Sequence, residues 1–214
     1  SDLHVCRDMK EINICNSLEQ VLNVSDTSGD SKIKIDLLAI SGDIVDSKDA
    51  NASRMEKNYR YAENLLNKIV ITLWKDDCGY LPHDWRRRIL ITTGNHDYAS
   101  MNQYQATLKH RSLTSAMPAE GESGTMSNFA YYIDFLIRYL DPPVDELLRN
   151  DLNEVRYYHN LNLKVLILNC SSIATARRTN KMGINKEIVK NLLQRVDWNQ
   201  TTKNRPYRIV VGHY

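Results

Sequence analysis

An α/β fold is what this sequence predicts, on three features: four short apolar blocks that each stop at a small or polar residue, helical patterns spaced between them, and a length suited to one domain. The blocks are residues 35–40 (IDLLAI), 88–93 (RILITT), 164–169 (KVLILN) and 207–211 (YRIVV). Each is a continuous apolar run rather than an alternating one, the pattern of a strand buried on both faces, so the sheet is expected to be largely parallel. Met55, Tyr59, Ala62, Leu65, Leu66 and Ile69 recur at three-to-four spacing. So do Phe129, Tyr132, Ile133, Leu136, Ile137 and Leu140, and then Ile188, Val189, Leu192, Leu193 and Val196. All three sets predict core-facing helices. In such an architecture the ligand site lies at the carboxyl ends of the strands.

Composition sets the outer limits. With 214 residues, 42% apolar and 25% charged, the chain can bury one large core, and it holds no apolar run long enough to span a bilayer. This excludes a membrane-spanning helix and a disordered chain. Cys6, Cys15, Cys78 and Cys170 are scattered without a CxxC pair, which reads as reduced thiols in a cytoplasmic protein. The formal charge of +2 hides a gradient. Residues 1–50 hold ten acidic and five basic side chains, whereas residues 151–214 hold eleven basic and four acidic ones. Such a gradient suits a cation site beside an anion-attracting surface, and it equally suits unevenly charged solvated faces.

No internal repeat or linker divides the chain, so residues 1–214 are read as a single domain. The most loop-like stretch is 112–127, with Pro118, Gly121 and Gly124, and Asp141-Pro142-Pro143 breaks the chain again. Both fall in an insertion, residues 98–153, between the second and third strand blocks. That insertion is read as a cap that sets specificity.

The chemistry sits where the strands stop. Gly42-Asp43-Ile44-Val45-Asp46 follows the first block, Gly94-Asn95-His96-Asp97 the second and Gly212-His213-Tyr214 the fourth, while Asp2-Leu3-His4 opens the chain. Taken alone, DxH is ordinary surface sequence, GDxxD is most often a turn with a helix N-cap, and a Gly-His pair says less still. GNHD is rarer, arising by chance in roughly one chain in a thousand of this length. Four clusters in this order, three of them directly after strand blocks, outweigh those ordinary readings. Carboxylate and amide oxygens together with imidazole nitrogens suit Mn, Fe, Zn, Co or Ni rather than a thiolate-seeking metal. Asp2 and His4, two apart in an extended segment, would project to one side and could grip one ion.

The order DxH, GDxxD, GNHD, GH resembles the calcineurin-like metallophosphoesterase superfamily, over the whole of residues 1–214. The resemblance implies a β-sandwich of two mixed sheets flanked by helices in four αββα layers, with a dinuclear metal site at the strand ends. It implies that Asp2 and His4 hold one ion, that Asp43 bridges two, and that Asn95 and His213 hold the other. His96 becomes the catalytic histidine near the leaving group, with Asp46 orienting it, and Asp97 a loop-stabilising carboxylate rather than a ligand. Two ions about 3.5 to 4 Å apart share a water, lower its pKa and hold the phosphoryl oxygens, so a bridging hydroxide attacks phosphorus in line. A histidine beside a carboxylate then has a raised pKa suited to protonating the leaving group near neutrality.

Two departures accompany the likeness. A closing GHxH is absent, so Gly212-His213 is matched to the family's fourth motif, and no apolar strand precedes DxH. The sequence therefore reads as a domain truncated at both ends, in which each ion lacks one histidine.

The substrate expected is a phosphomonoester or phosphodiester, a small nucleotide-like molecule by preference. Ser47 stands where serine/threonine phosphatases of the superfamily carry Arg, which argues against that branch. A nuclease is the alternative, because Arg177, Arg178 and Lys181 could track a phosphate backbone. No aromatic residues interleave with them, so a nucleic-acid partner is not favoured. Tyr98 and Tyr104 could stack on a base, though core packing is the more ordinary use of each. A non-catalytic scaffold of this fold is the reading from a different class, and the retained Asp2, His4, Asp43, Asn95, His96 and His213 argue against it. His83, His110 and His159 fall outside the motifs and read as surface or packing residues.

Overall fold

The computed structural model describes residues 17, 20, 34–45, 52–97, 129–171, 183–199 and 205–213. Strands β1 (Leu38–Ile40) and β2 (Ile89–Ile91) pair in parallel, with Leu38 opposite Ile89 and Ile40 opposite Ile91. Parallel pairing needs a crossover, and helix α1 (Ala52–Trp74) supplies it. Its predicted face is buried from Met55 to Ile69 and continues through Val70 and Trp74 in the same four-residue register. The helix ends tied down, since the Trp74 indole N–H donates to the Ile35 carbonyl at 2.7 Å.

Helix α2 (Ala130–Leu140) lies in the insertion and packs against α1. Eight of its eleven residues are buried, so it is a core element. The ring of Tyr59 on α1 stacks on Phe135 at 5.3 Å, and Phe135 stacks in turn on Tyr139 at 5.6 Å. Aromatic pairs of this kind add about 0.5 to 1.5 kcal/mol each beyond their buried area. Asp141 ends the helix in the left-handed region at φ 51°, ahead of Pro142, which disfavours helical backbone in the residue before it. A short helix, α3 (Val144–Arg149), follows the two prolines. Residues 98–128, the rest of the insertion, lie outside the described residues.

The remaining strands form a second sheet, in the order β3–β4–β5. Here the expectation of one largely parallel sheet is corrected. Strands β4 (Leu163–Leu168) and β5 (Tyr207–Gly212) are parallel, but β3 (Glu154–Tyr158) runs antiparallel to β4 through a tight connection at Asn162, φ 45°. Strand β3 escaped the apolar-block pattern because EVRYY is half-buried throughout and carries Glu154 and Arg156. Helix α4 (Lys186–Arg195) connects β4 to β5, with the Asn185 side chain accepting from the Ile188 N–H at 3.3 Å as its N-cap.

Strand β2 shows how the layers meet. Ile89 and Ile91 belong to the large core built from α1 and α2, whereas Leu90 points the other way, into a smaller cluster with Leu163, Val165, Ile167 and Val211. Period-two geometry thus makes β2 apolar on both faces. From β3, the Arg156 guanidinium donates to the Ile89 carbonyl at 2.6 Å and the Arg87 carbonyl at 3.1 Å, while its other edge pairs with Glu154 at 2.7 and 2.9 Å. Lys164 of β4 is buried, and its ammonium donates to the carbonyls of Val196 and Asp197, at 3.2 and 2.9 Å, just beyond the end of α4. A cation there satisfies carbonyls that the helix leaves unpaired. Among the described residues no helix is long and apolar enough to cross a membrane.

Candidate metal centre

Parallel pairing sends the ends of β1 and β2 out of the same edge of the sheet, and the Thr92 N–H donates to the Ile40 carbonyl at 3.1 Å to carry the pairing one step further. Two loops leave from there, Ser41 to Val45 and Gly94 to Asp97, and each holds the other. The Asp43 carboxylate, from the first loop, accepts the His96 N–H at 2.9 Å. The Asp97 carboxylate, from the second, accepts the N–H groups of Ile44 at 3.2 Å and Val45 at 3.3 Å, and closes its own loop on the Gly94 N–H at 2.9 Å. A fourth donor reaches Asp97 from α1: the Tyr59 hydroxyl, at 3.0 Å.

Two glycines make this proximity geometrically feasible. A Cβ on Gly94 would stand 2.0 Å from Asp43 Oδ1 and 2.1 Å from its backbone nitrogen. Gly42 has φ +92°, and a Cβ there would meet the His213 side chain at 2.7 Å. Asp43 itself sits in the left-handed region at φ 44°, a conformation that costs about 1 to 3 kcal/mol in a non-glycine residue and persists only where neighbours fix it.

His213 arrives from the end of β5. Its Nδ1 is 2.7 Å from the Ser41 carbonyl, which can only accept, so Nδ1 carries a hydrogen and donates it. That fixes the ring, with Nε2 3.3 Å from Asp43 Oδ2. A ring held by a carbonyl at one nitrogen, with the other nitrogen beside a carboxylate, is oriented as a metal-ligating imidazole is, so the donor pair fits a divalent metal. The Cys170 thiol packs behind, accepting the His213 N–H, and burial pushes that thiol up.

Burial pushes the Asp97 carboxyl up to about 7, and the charge of Asp43 acts in the same direction. The Gly94 N–H, the Tyr59 hydroxyl and the Val45 N–H pull against it. Burial, and then the charge of Asp97, push the Tyr59 hydroxyl well above its ordinary value, so it stays a donor.

Behind the second loop lies a buried polar network. The Thr93 hydroxyl donates to the Asn169 side-chain oxygen at the end of β4, which also accepts the Ser171 N–H at 3.0 Å. The Asn169 amide donates to the Asp151 carbonyl at 3.0 Å, and its backbone N–H donates to Asn153 Oδ1 at 2.8 Å. Asp151 and Leu152 take φ 53° and 60°, a strained turn that the network holds in place.

Of the residues singled out from sequence, Asp43, His96 and His213 are thus brought together, Asp43 touching both of the others. Asn95 falls in the 3-10 turn Asn95–Asp97 of the second loop. Asp2, His4 and Asp46 lie outside the described residues, and among the described residues no three His, Cys, Asp or Glu side chains form a group able to hold a metal ion. The contacts of Asp97 are those of a loop-stabilising carboxylate, as the sequence reading had it. Tyr59 and Asn169 were missed. Their spacing marked one as core and the other as the end of a strand, and nothing local signals the long-range partner of either.

A family model for the calcineurin-like phosphoesterases matches residues 1–214, the whole chain. The chain belongs to that family. Calcineurin-like phosphoesterases are in general hydrolases of phosphate esters that use a dinuclear centre of divalent metal ions, within an α/β fold. No curated protein and no solved structure matches the chain significantly.

Proposed function

We propose that this calcineurin-like phosphoesterase hydrolyses a phosphomonoester or phosphodiester, a small nucleotide-like molecule by preference, at a dinuclear centre built on Asp43. The observation that carries the reading is the Asp43–His213 pair, held at 3.3 Å by a carbonyl on one side and by the mutual clamp of two loops on the other. Asp43 would bridge two ions, with Asn95 and His213 completing one site and Asp2 and His4 the other. When bound, such ions supply an activated water as nucleophile and neutralise the phosphoryl oxygens. His96 protonates the leaving oxygen, with Asp46 orienting the ring. Its backbone N–H on Asp43 keeps it beside the pair.

The finer architecture proposed is the four-layer αββα sandwich. It is supported by Leu90 of the first sheet clustering with the second, by α1 and α2 on the outer face of β2, and by Lys164 reaching α4 from β4.

The test is a panel of p-nitrophenyl esters, cyclic nucleotides and single-stranded DNA, assayed on the full chain with Mn²⁺ and after chelation. Activity should vanish with chelator, return with Mn²⁺, and be absent in Asp43→Asn. His96→Gln should keep the metal content and lower turnover by about 10² to 10⁴, less for substrates with good leaving groups. Turnover undiminished in chelator would overturn the metal reading, and preference for DNA over every small ester would replace the substrate class with a nuclease.

A further inference from the structure

Helix α1 contributes more to this site than a crossover. Tyr59 is 1% exposed, and its ring belongs to the aromatic stack with Phe135, where a phenylalanine would fill the same space. A hydroxyl taken into such a place without a partner is unfavourable, and the only atom it meets at hydrogen-bonding distance among the described contacts is Asp97 Oδ1, at 3.0 Å. Asp97 is the residue whose carboxylate gathers N–H groups from both loops. Those three donors all come from the backbone of the two loops that the carboxylate joins. The phenol differs because it is fixed to a 23-residue helix with a fully buried face.

We propose that Tyr59 is a positioning residue for the metal centre: through Asp97, its hydroxyl anchors both strand-end loops to helix α1 and so fixes where Asp43 stands relative to His96 and His213. The inference rests on the metal-site reading above. It assigns to Tyr59 no contact with substrate or metal. Its effect passes through one carboxylate to the loop backbone that carries Asp43, and a small displacement there matters because Gly94 already lies against Asp43 with no room for a Cβ.

The experiment compares the full chain with Tyr59→Phe and with Phe135→Leu. Tyr59→Phe keeps the ring and removes only the hydroxyl, while Phe135→Leu loosens the stack and leaves the hydroxyl in place. Mn²⁺ affinity is read by calorimetry, the order of the bound ion by the line width of its paramagnetic resonance spectrum, and stability by melting of the metal-free protein. Removing a direct hydrogen-bond partner of a metal ligand weakens binding about 10- to 100-fold, and Tyr59 acts one residue further out through Asp97, so Tyr59→Phe should bind Mn²⁺ about tenfold more weakly, the lower end of that range, with a broadened spectrum and kcat reduced more than KM is raised. Phe135→Leu should melt lower and bind Mn²⁺ as the parent does. Equal Mn²⁺ affinity in Tyr59→Phe and parent, or an equal loss in both variants, overturns the positioning role and leaves the metal centre standing. A parent chain that binds no Mn²⁺, and does not melt higher in its presence, overturns both readings together.

Discussion

Among the described residues are two strand–helix–strand units of the same topology, β1–α1–β2 and β4–α4–β5, and they are stabilised in different ways. In the first, a helix of 23 residues lays an unbroken apolar face on the strands and is covered in turn by α2. In the second, a helix of 10 residues buries only Val189 and Leu192, and the strand beneath it spends a lysine on the helix end. Both units deliver a residue of the candidate site from the end of their last strand, His96 with its loop in one case and His213 in the other. The difference teaches that the unit which must hold two loops against each other has the deep core, while the unit that supplies a single imidazole relies on polar contacts and one carbonyl.

The widest gap between the units should appear in their cores. Phe135→Ala removes a fully buried ring from the first and should lower stability by about 4 kcal/mol, against about 2 kcal/mol for Leu192→Ala in the second. Denaturant melts of the two variants measure it, and equal losses would erase the distinction. Next come the strand-end glycines. Gly94→Ala drives a Cβ into Asp43 and should cost about 3 kcal/mol and abolish Mn²⁺ binding. Gly212→Ala meets first the Cys170 sulfur, at 3.0 Å, a side-chain tip able to turn aside, and should cost below about 1 kcal/mol. Metal binding retained in Gly94→Ala would show that the loops are not held in the way described.

How much of this was legible in the sequence follows the same division. Helices α1, α2 and α4 announce themselves because burial writes a period into the residues that face the core, and strands β1, β2, β4 and β5 as unbroken apolar runs, a pattern that burial on both faces accounts for in β2 and β4 but not in β5, where residues 207–210 are exposed. Strand β3 does not, since Arg156 pairs with Glu154 on its own strand and donates to the Arg87 and Ile89 carbonyls, which no window of local sequence contains. Helix α3 is six residues between a proline pair and an asparagine, too short to show a repeat. In the site, Asp43, His96 and His213 stood out because strand-end glycines flagged their loops. Tyr59, read as core, is core and more, because a phenol carries an apolar ring and a donor that serve different neighbours.

Smaller effects sharpen the polar side of the comparison. Burial raises the Asp151 carboxyl from 3.8 to about 6, so its ionised form is the less favoured in the fold, and its contribution is intact below pH 4 and lost as the pH rises through 6. Asp151→Asn, which also tolerates the left-handed backbone at φ 53°, should therefore raise stability by about 2 kcal/mol at pH 8 and leave it unchanged at pH 4. Melting curves at the two pH values decide it, and a gain equal at both would point to backbone rather than charge. Lys164→Met should cost about 1 kcal/mol, the worth of the helix-end carbonyls it satisfies. No loss at high salt or low would leave those carbonyls served by water.

The clamp between the two loops is written almost wholly in main-chain N–H groups: residues 44, 45, 94 and 96 donate, and two carboxylates receive. Every amino acid except proline carries that donor, so the clamp is indifferent to which side chains stand at 44 and 45. What constrains Ile44 and Val45 is the apolar core into which both are fully buried. The spacer between the two acidic residues of GDIVD is thus free in the chemical sense and restricted in the hydrophobic one. A saturation library at those positions would return aliphatic residues in quantity, exclude charge, and single out proline as the substitution that fits the oil but breaks the grip.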